Sequence, residues 1–160
     1  MESASPLEKK EWVDWINVKV LQKAVLVDME GNMLALCRPL TGPGRRLGAW
    51  DMAGGAMGVE DLNVLQNPHE VSLKREILEE TGLTIDSTEI VYICSLVKKT
   101  QSAGSVLILP IGYRCKINGI KPAVVLSDEH IESRWVTKEE FLGMDFGDDG
   151  GFSVALIEKV

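Results

Sequence analysis

The sequence predicts an α+β fold, a mixed central sheet flanked by helices. Three observations carry this expectation. Strand-like and helix-like segments follow one another without the regular βαβ alternation of a doubly wound parallel sheet. Two segments rich in aliphatic and β-branched residues are joined by the short turn Asp28-Met29-Glu30-Gly31-Asn32, as in a hairpin. One later segment carries helix punctuation at both ends. The 160 residues suit one domain, 1–160, with 1–10 a polar tail.

The elements follow in order. Trp12, Val13, Trp15 and Ile16 form an apolar patch, read as a packing anchor or a dimer contact. Val18 to Val27 and Met33 to Cys37 are the hairpin strands. Residues 41–48 hold three Gly and a Pro and read as loop. Trp50 to Gly55 is a short strand entering a glycine turn. The spacing predicts a helix from Pro68 to Glu80 or Thr81, with Asn67 as N-cap, Glu70 as capping-box acid and Gly82 ending it. Strands are expected at Ile90 to Val97, Ser105 to Lys116 and Ile131 to Val136. Thr137-Lys138-Glu139-Glu140 opens a short helix, and Phe152 to Val160 is a last one.

Composition excludes several classes. With 17 Lys and Arg against 24 Asp and Glu, the net charge is −7, which speaks against a surface for duplex nucleic acid. A nucleotide remains admissible, because bound cations reverse the local sign. Cys37, Cys94 and Cys115 share no C-x-x-C spacing, so free thiols in a reducing, cytoplasmic setting are expected. The start of the chain lacks a signal-peptide pattern, and no apolar run reaches the ~20 residues of a membrane span. The charge is unevenly placed. Residues 67–90 carry −4, while 91–126 contain five bases and no acid. Those five, Lys98, Lys99, Arg114, Lys116 and Lys121, either rim an anion site or aid solubility.

The informative segment is Arg75-Glu76-Ile77-Leu78-Glu79-Glu80-Thr81-Gly82-Leu83. On a helix Glu76, Glu79 and Glu80 share one face at i, i+3 and i+4, while Ile77 and Leu78 point toward a core. Ser72, one turn earlier, leaves room on that face. Arg75 can pair with Glu79 at i+4. Carboxylates this close repel unless hard cations lie among them, and oxygen-only donors suit Mg²⁺ or Mn²⁺. The Gly54-Gly55 turn can offer a backbone carbonyl to the same cations. A solvated helix face is the competing reading of the same string.

The glycine pair, this segment and the order of elements resemble the Nudix hydrolase family, whose box is G-x5-E-x7-R-E-U-x-E-E-x-G-U, with U a bulky aliphatic. The C-terminal half matches at every fixed position, including Arg75 and Gly82. The likeness extends to Leu34 to Arg38, to Gly48-Ala49-Trp50, and to Ser127-Asp128-Glu129-His130 followed by Trp135-Val136, most of residues 18–142. It implies a Nudix-like α/β/α sandwich. Two departures stand out. Six residues on from Gly55 is Asp61, but eight back from Arg75 is Asn67, so the loop carries six extra residues. The box's first acid is therefore displaced or absent, with Glu60 or Asp61 as substitutes. Ala53 also stands where a Pro commonly precedes the glycines.

The resemblance implies metal-dependent hydrolysis of a pyrophosphate bond in a nucleoside triphosphate or modified nucleotide. Glu76, Glu79 and Glu80 are then expected as metal ligands, with the carbonyl of Gly55 or Gly54. Glu129 is the candidate general base, the alternative being an exposed loop acid. Arg38, Arg45 and Arg46 are candidates for substrate phosphates, since Arg suits bidentate contacts; Arg45 and Arg46 can also be solvated loop residues. Trp50 either stacks a base or packs in the core. His69 and His130 are expected at the surface. Competing readings are a pyrophosphatase for ADP-ribose or another nucleotide sugar, and a module that senses a nucleotide without cleaving it. A homodimer is a further expectation.

Overall fold

The computed structural model describes residues 16–102 and 104–160. Trp12, Val13, Trp15 and the expected tail 1–10 lie outside the described residues, and Ile16 is exposed. The strands are β1 (Asn17–Val27), β2 (Met33–Cys37), β3 (Trp50–Asp51), β4 (Ser87–Ile93), β5 (Leu96–Thr100), β6 (Gly104–Lys116) and β7 (Glu132–Val136). The helices are α1 (Pro68–Thr81), α2 (Lys138–Leu142) and α3 (Phe152–Lys159), and a 3-10 helix spans Val59–Asn63.

The sheet runs β3-β2-β1-β6-β4, with β5 added to β6 and β7 to β2. Pairing of β1 with β6 is parallel along Asn17–Val27, and the other pairs are antiparallel, so the sheet is mixed as expected. Period-two alternation in β1 divides its side chains between two cores. Ala24 and Leu26 pack with Leu73 and Ile77 of α1. Val25 and Val27 pack with Phe141 of α2 and Leu156 and Ile157 of α3. Helices thus cover both faces, the expected sandwich.

Several local expectations are corrected. Ile90 to Val97 is not one strand: the chain breaks at Cys94-Ser95, and β4 and β5 pair with different stretches of β6. Asn67 precedes α1 in the left-handed region (φ 48°) and makes no side-chain cap. Its expected partner Glu70 instead accepts a hydrogen bond from Thr88 Oγ1 at 3.3 Å. Leu78 is half exposed, because α1 lays Ile77 and Leu73 on the sheet and turns Leu78 outward. The capping box at Thr137 and Glu140 forms as read, and Gly82 ends α1 with φ 69°.

Candidate active site

The turn after β3 brings the glycines against α1. Gly54 has φ 131°, a conformation open to glycine, and a Cβ there would lie 2.1 Å from the Gln22 carbonyl oxygen. Gly54→Ala is therefore expected to cost about 2–4 kcal/mol through overpacking and backbone strain, readable as a lower urea midpoint. Gly55 has the same absence of room: a Cβ would stand 2.6 Å from Glu76 Oε2. Glycine at both positions lets backbone and carboxylate meet. The Gly54 N–H donates to Glu80 Oε2 at 2.8 Å. The Gly55 carbonyl accepts from the Gln22 N–H at 2.8 Å, and that of Gly54 from Lys23 Nζ at 3.4 Å.

The three helix carboxylates differ in environment. Glu80 is 3% exposed, and burial pushes its carboxyl up to about 7, opposed by Lys23 and the Gly54 N–H and reinforced by Glu129 and Asp51. Glu76 is also raised, chiefly by burial, with Arg75 opposing and Glu79 and Glu129 adding repulsion. Glu79 is largely exposed. Arg75 Nη1 reaches Glu76 Oε1 at 2.9 Å and Glu79 Oε2 at 3.2 Å, so the expected i, i+4 pair is one arm of a wider clamp.

Of the two acids considered for the box's first position, Asp61 joins this clamp. Arg75 Nη2 lies 3.3 Å from Asp61 Oδ1. Asp61 Oδ2 accepts from Ser72 Oγ at 3.0 Å and from the Gly58 N–H at 2.8 Å. Asp61 is buried, and these bonds, the Gly58 N–H foremost, hold its carboxyl below the usual range. Asp61 thus ties the loop to the helix, and the added residues lie between it and α1. Ser72 serves that bond rather than clearing space.

Beside the glycine turn is a cavity of about 650 Å³ lined by Glu80, Glu129, both glycines and Arg38, Arg45 and Arg46. Glu129 is exposed on this cavity, and its charge is felt at Glu76 and Glu80. Arg45 is exposed, whereas Arg46 is anchored, its Nη1 donating to the Phe146 carbonyl at 3.0 Å. The solvated-loop alternative therefore fails for Arg46. None of Lys98, Lys99, Arg114, Lys116 and Lys121 lines this cavity, so the five bases form no rim around it. Trp50 packs with the α2/α3 core, and Arg134 stacks 4.8 Å from its ring.

His130, expected at the surface, is buried and lines the cavity. Burial, with Lys23 and Arg38 nearby, pulls its imidazole down to about 4, so it is neutral at pH 7. His69 is half-buried, its ring stacked 6.4 Å from Tyr113. Lys23, Asp51 and Phe152 also line the cavity and were missed. A lysine and an aspartate inside apolar strands were the available signal, since such residues are seldom buried unpaired.

Among the described residues, no three His, Cys, Asp or Glu side chains form a ready-made metal cluster, and Arg75 lies on Glu76 and Glu79. The donor chemistry nevertheless fits a hard cation. The donors are carboxylate and carbonyl oxygens, and Gly55 leaves open a cradle for Glu76 that a Cβ would fill.

No protein-family model and no curated protein sequence matches the chain. Solved structures do. A MutT protein from Methanosarcina mazei is similar at 25% identity and TM-score 0.61, covering 89% of this chain and 92% of that one. The Nudix domain of Shewanella oneidensis NrtR, solved with ADP ribose, has 18% identity and TM-score 0.61, covering 99% and 96%. An Ap4A hydrolase from C. elegans has 19% identity and TM-score 0.53, covering 87% and 93%. The fold is that of the MutT/Nudix hydrolases. The segment that resembles the Nudix box lies on α1 of this fold.

Proposed function

We propose that the protein hydrolyses a pyrophosphate bond in a nucleoside triphosphate or modified nucleotide, with Mg²⁺ or Mn²⁺. One observation carries this reading: the buried Glu80 carboxylate shares a cavity with Glu129 and three arginines. Glu76, Glu79 and Glu80, with a carbonyl of the glycine turn, would hold the cation. A cation so held lowers the pKa of water and offsets the charge of a phosphate leaving group. Glu129, which lines the cavity, would take a proton from water. Arg38, Arg45 and Arg46 supply positive charge for the substrate. Arg75 and Asp61 keep the loop and the carboxylate helix in register, with Gly54 and Gly82 setting the backbone at either end.

ADP-ribose is the second reading, supported by a fold neighbour solved with that ligand. A nucleotide panel with Mg²⁺ or Mn²⁺, its products separated by chromatography, decides. A triphosphate substrate yields nucleotide and pyrophosphate, whereas ADP-ribose yields AMP and ribose phosphate. Tight binding of one nucleotide with no cleavage across the panel would establish the sensing module instead. Glu129→Gln is expected to lower kcat by about 10²-fold or more with little change in KM. Unchanged kcat would remove Glu129 as the base.

A further inference from the structure

Lys23, Arg38 and Arg46 converge on a single atom. Asp51 Oδ2 accepts from Lys23 Nζ at 3.0 Å, Arg38 Nη1 at 3.0 Å and Arg46 Nη2 at 3.1 Å. Three cations thus share one carboxylate, in a cavity whose lining also holds Glu80, Glu129, Asp148 and Asp149.

The three cations are not equivalent. An ammonium has three N–H groups. Those of Lys23 are met by Asp51, by the Met52 carbonyl at 3.1 Å and by the Gly54 carbonyl at 3.4 Å. Lys23 is thus a strut between β1 and the glycine turn. A guanidinium has five N–H groups in one plane. Arg46 uses Nη2 on Asp51 and Nη1 on the Phe146 carbonyl, which fixes its plane. Arg38 uses Nη1 on Asp51, while its Nε is buried with no partner among the described residues. Buried His130 stands on the same wall, its Nδ1 also without a partner.

Other acids line the cavity, and among the described residues none of them pairs with Arg38 or Arg46. Glu80 accepts from the Gly54 N–H, and Asp149 from the N–H groups of Gly151 and Ser153 at the start of α3. Among the described residues, no salt bridge joins Arg38 or Arg46 to any acid but Asp51. Both guanidinium side chains are about three-quarters buried or more. Half-desolvated positive charge with unmet donors is costly, and an oxyanion relieves both costs with charge-assisted hydrogen bonds.

We propose that Arg38 and Arg46, oriented by Asp51, form an oxyanion subsite that takes a second anionic group of the substrate, separate from the pyrophosphate bridge, and binds it without metal. The inference rests on the hydrolase reading for the word substrate only. It defines the substrate class as a nucleotide or phosphoester bearing a further phosphate or carboxylate beyond the bridge.

The test uses the whole protein in EDTA, so that the carboxylate helix contributes no cation. Inorganic phosphate and acetate are titrated separately, followed by calorimetry and by backbone NMR shifts. Saturable binding is expected, with shifts centred on residues 38, 46 and 51, weakened at least tenfold by Arg38→Gln. Arg46→Lys keeps the charge but loses the fork, and is expected to weaken binding severalfold. It serves as the second variant if Arg38→Gln does not fold. Tighter phosphate than acetate assigns the second group as a phosphate; the reverse assigns a carboxylate. No saturable binding of either ion up to about 50 mM, or equal binding by the wild type and the folded variants, overturns the subsite. A failure here leaves metal-dependent hydrolysis intact. Equally, anion binding without any hydrolysis would remove the enzymatic reading and keep the subsite.

Discussion

Glu80→Gln is expected to make the metal-free protein more stable and nearly inactive. Gln has the same shape, and its Oε1 can still accept the Gly54 N–H that reaches Glu80 at 2.8 Å. What disappears is a buried negative charge. The Glu80 carboxyl is raised to about 7, with burial the largest cause. Its folded-state value thus lies above the ordinary 4.5, so folding favours the proton. Below about pH 4.5 both states are protonated and no penalty exists. Between there and about pH 7 the penalty grows, and above that it is constant. The variant's gain is therefore absent at pH 4, and in EDTA at pH 8 it reaches about 1–3 kcal/mol. Turnover in Mg²⁺ is expected to fall by about 10²-fold or more. Urea unfolding in EDTA at the two pH values checks the first part. A gain of the same size at both would show that repacking, not charge, is responsible.

Asp51→Asn is expected to act in the opposite direction. The Asp51 side chain is 1% exposed and faces three cations. Burial alone would raise its carboxyl, but Lys23, Arg46 and the Met52 N–H override it and hold it at about 2. Removing the charge leaves Lys23, Arg38 and Arg46 crowded without a counter-ion. Breaking a buried pair in this way costs about 3–5 kcal/mol at neutral pH. The pH dependence follows from the depressed value. The stabilisation is complete above the ordinary 3.8 and is lost as pH falls toward about 2. The stability difference between wild type and Asp51→Asn should therefore be constant from pH 5 to 8 and shrink below pH 4. A difference that stays flat down to pH 2 would show that Asn fails for steric reasons.

These two residues mark what the sequence made legible. The carboxylate face was readable because a helix has a fixed period: Glu76, Glu79 and Glu80 announce themselves by spacing. Gly82 and the Thr137 box were readable for the same local reason. Asp51, Lys23 and His130 were not, since their meaning depends on residues distant along the chain: Lys23 meets Asp51 28 positions on, and His130 feels the charge of Asp51 79 positions back. Asp61 was intermediate. Counting from Gly55 located it, but its bonds to Ser72 and Arg75 decide between it and Glu60. Leu78 was misread because a helix packed on one sheet face buries a narrow stripe, and Leu78 falls just outside it.

The parallel pairing of β1 with β6 has a kinetic consequence. Each residue of β1 meets one 89 positions later, from Asn17 with Val106 to Val27 with Lys116. Such a ladder cannot form early, because a long loop must close before any contact rewards it. Leu21 on β1 pairs with Pro110 on β6 across that ladder, and both line the cavity together with Lys23 and Ile108. The carboxylate helix can therefore form ahead of the chamber it serves. The cavity is complete only once β6, and after it Glu129, His130 and Phe152, have joined β1.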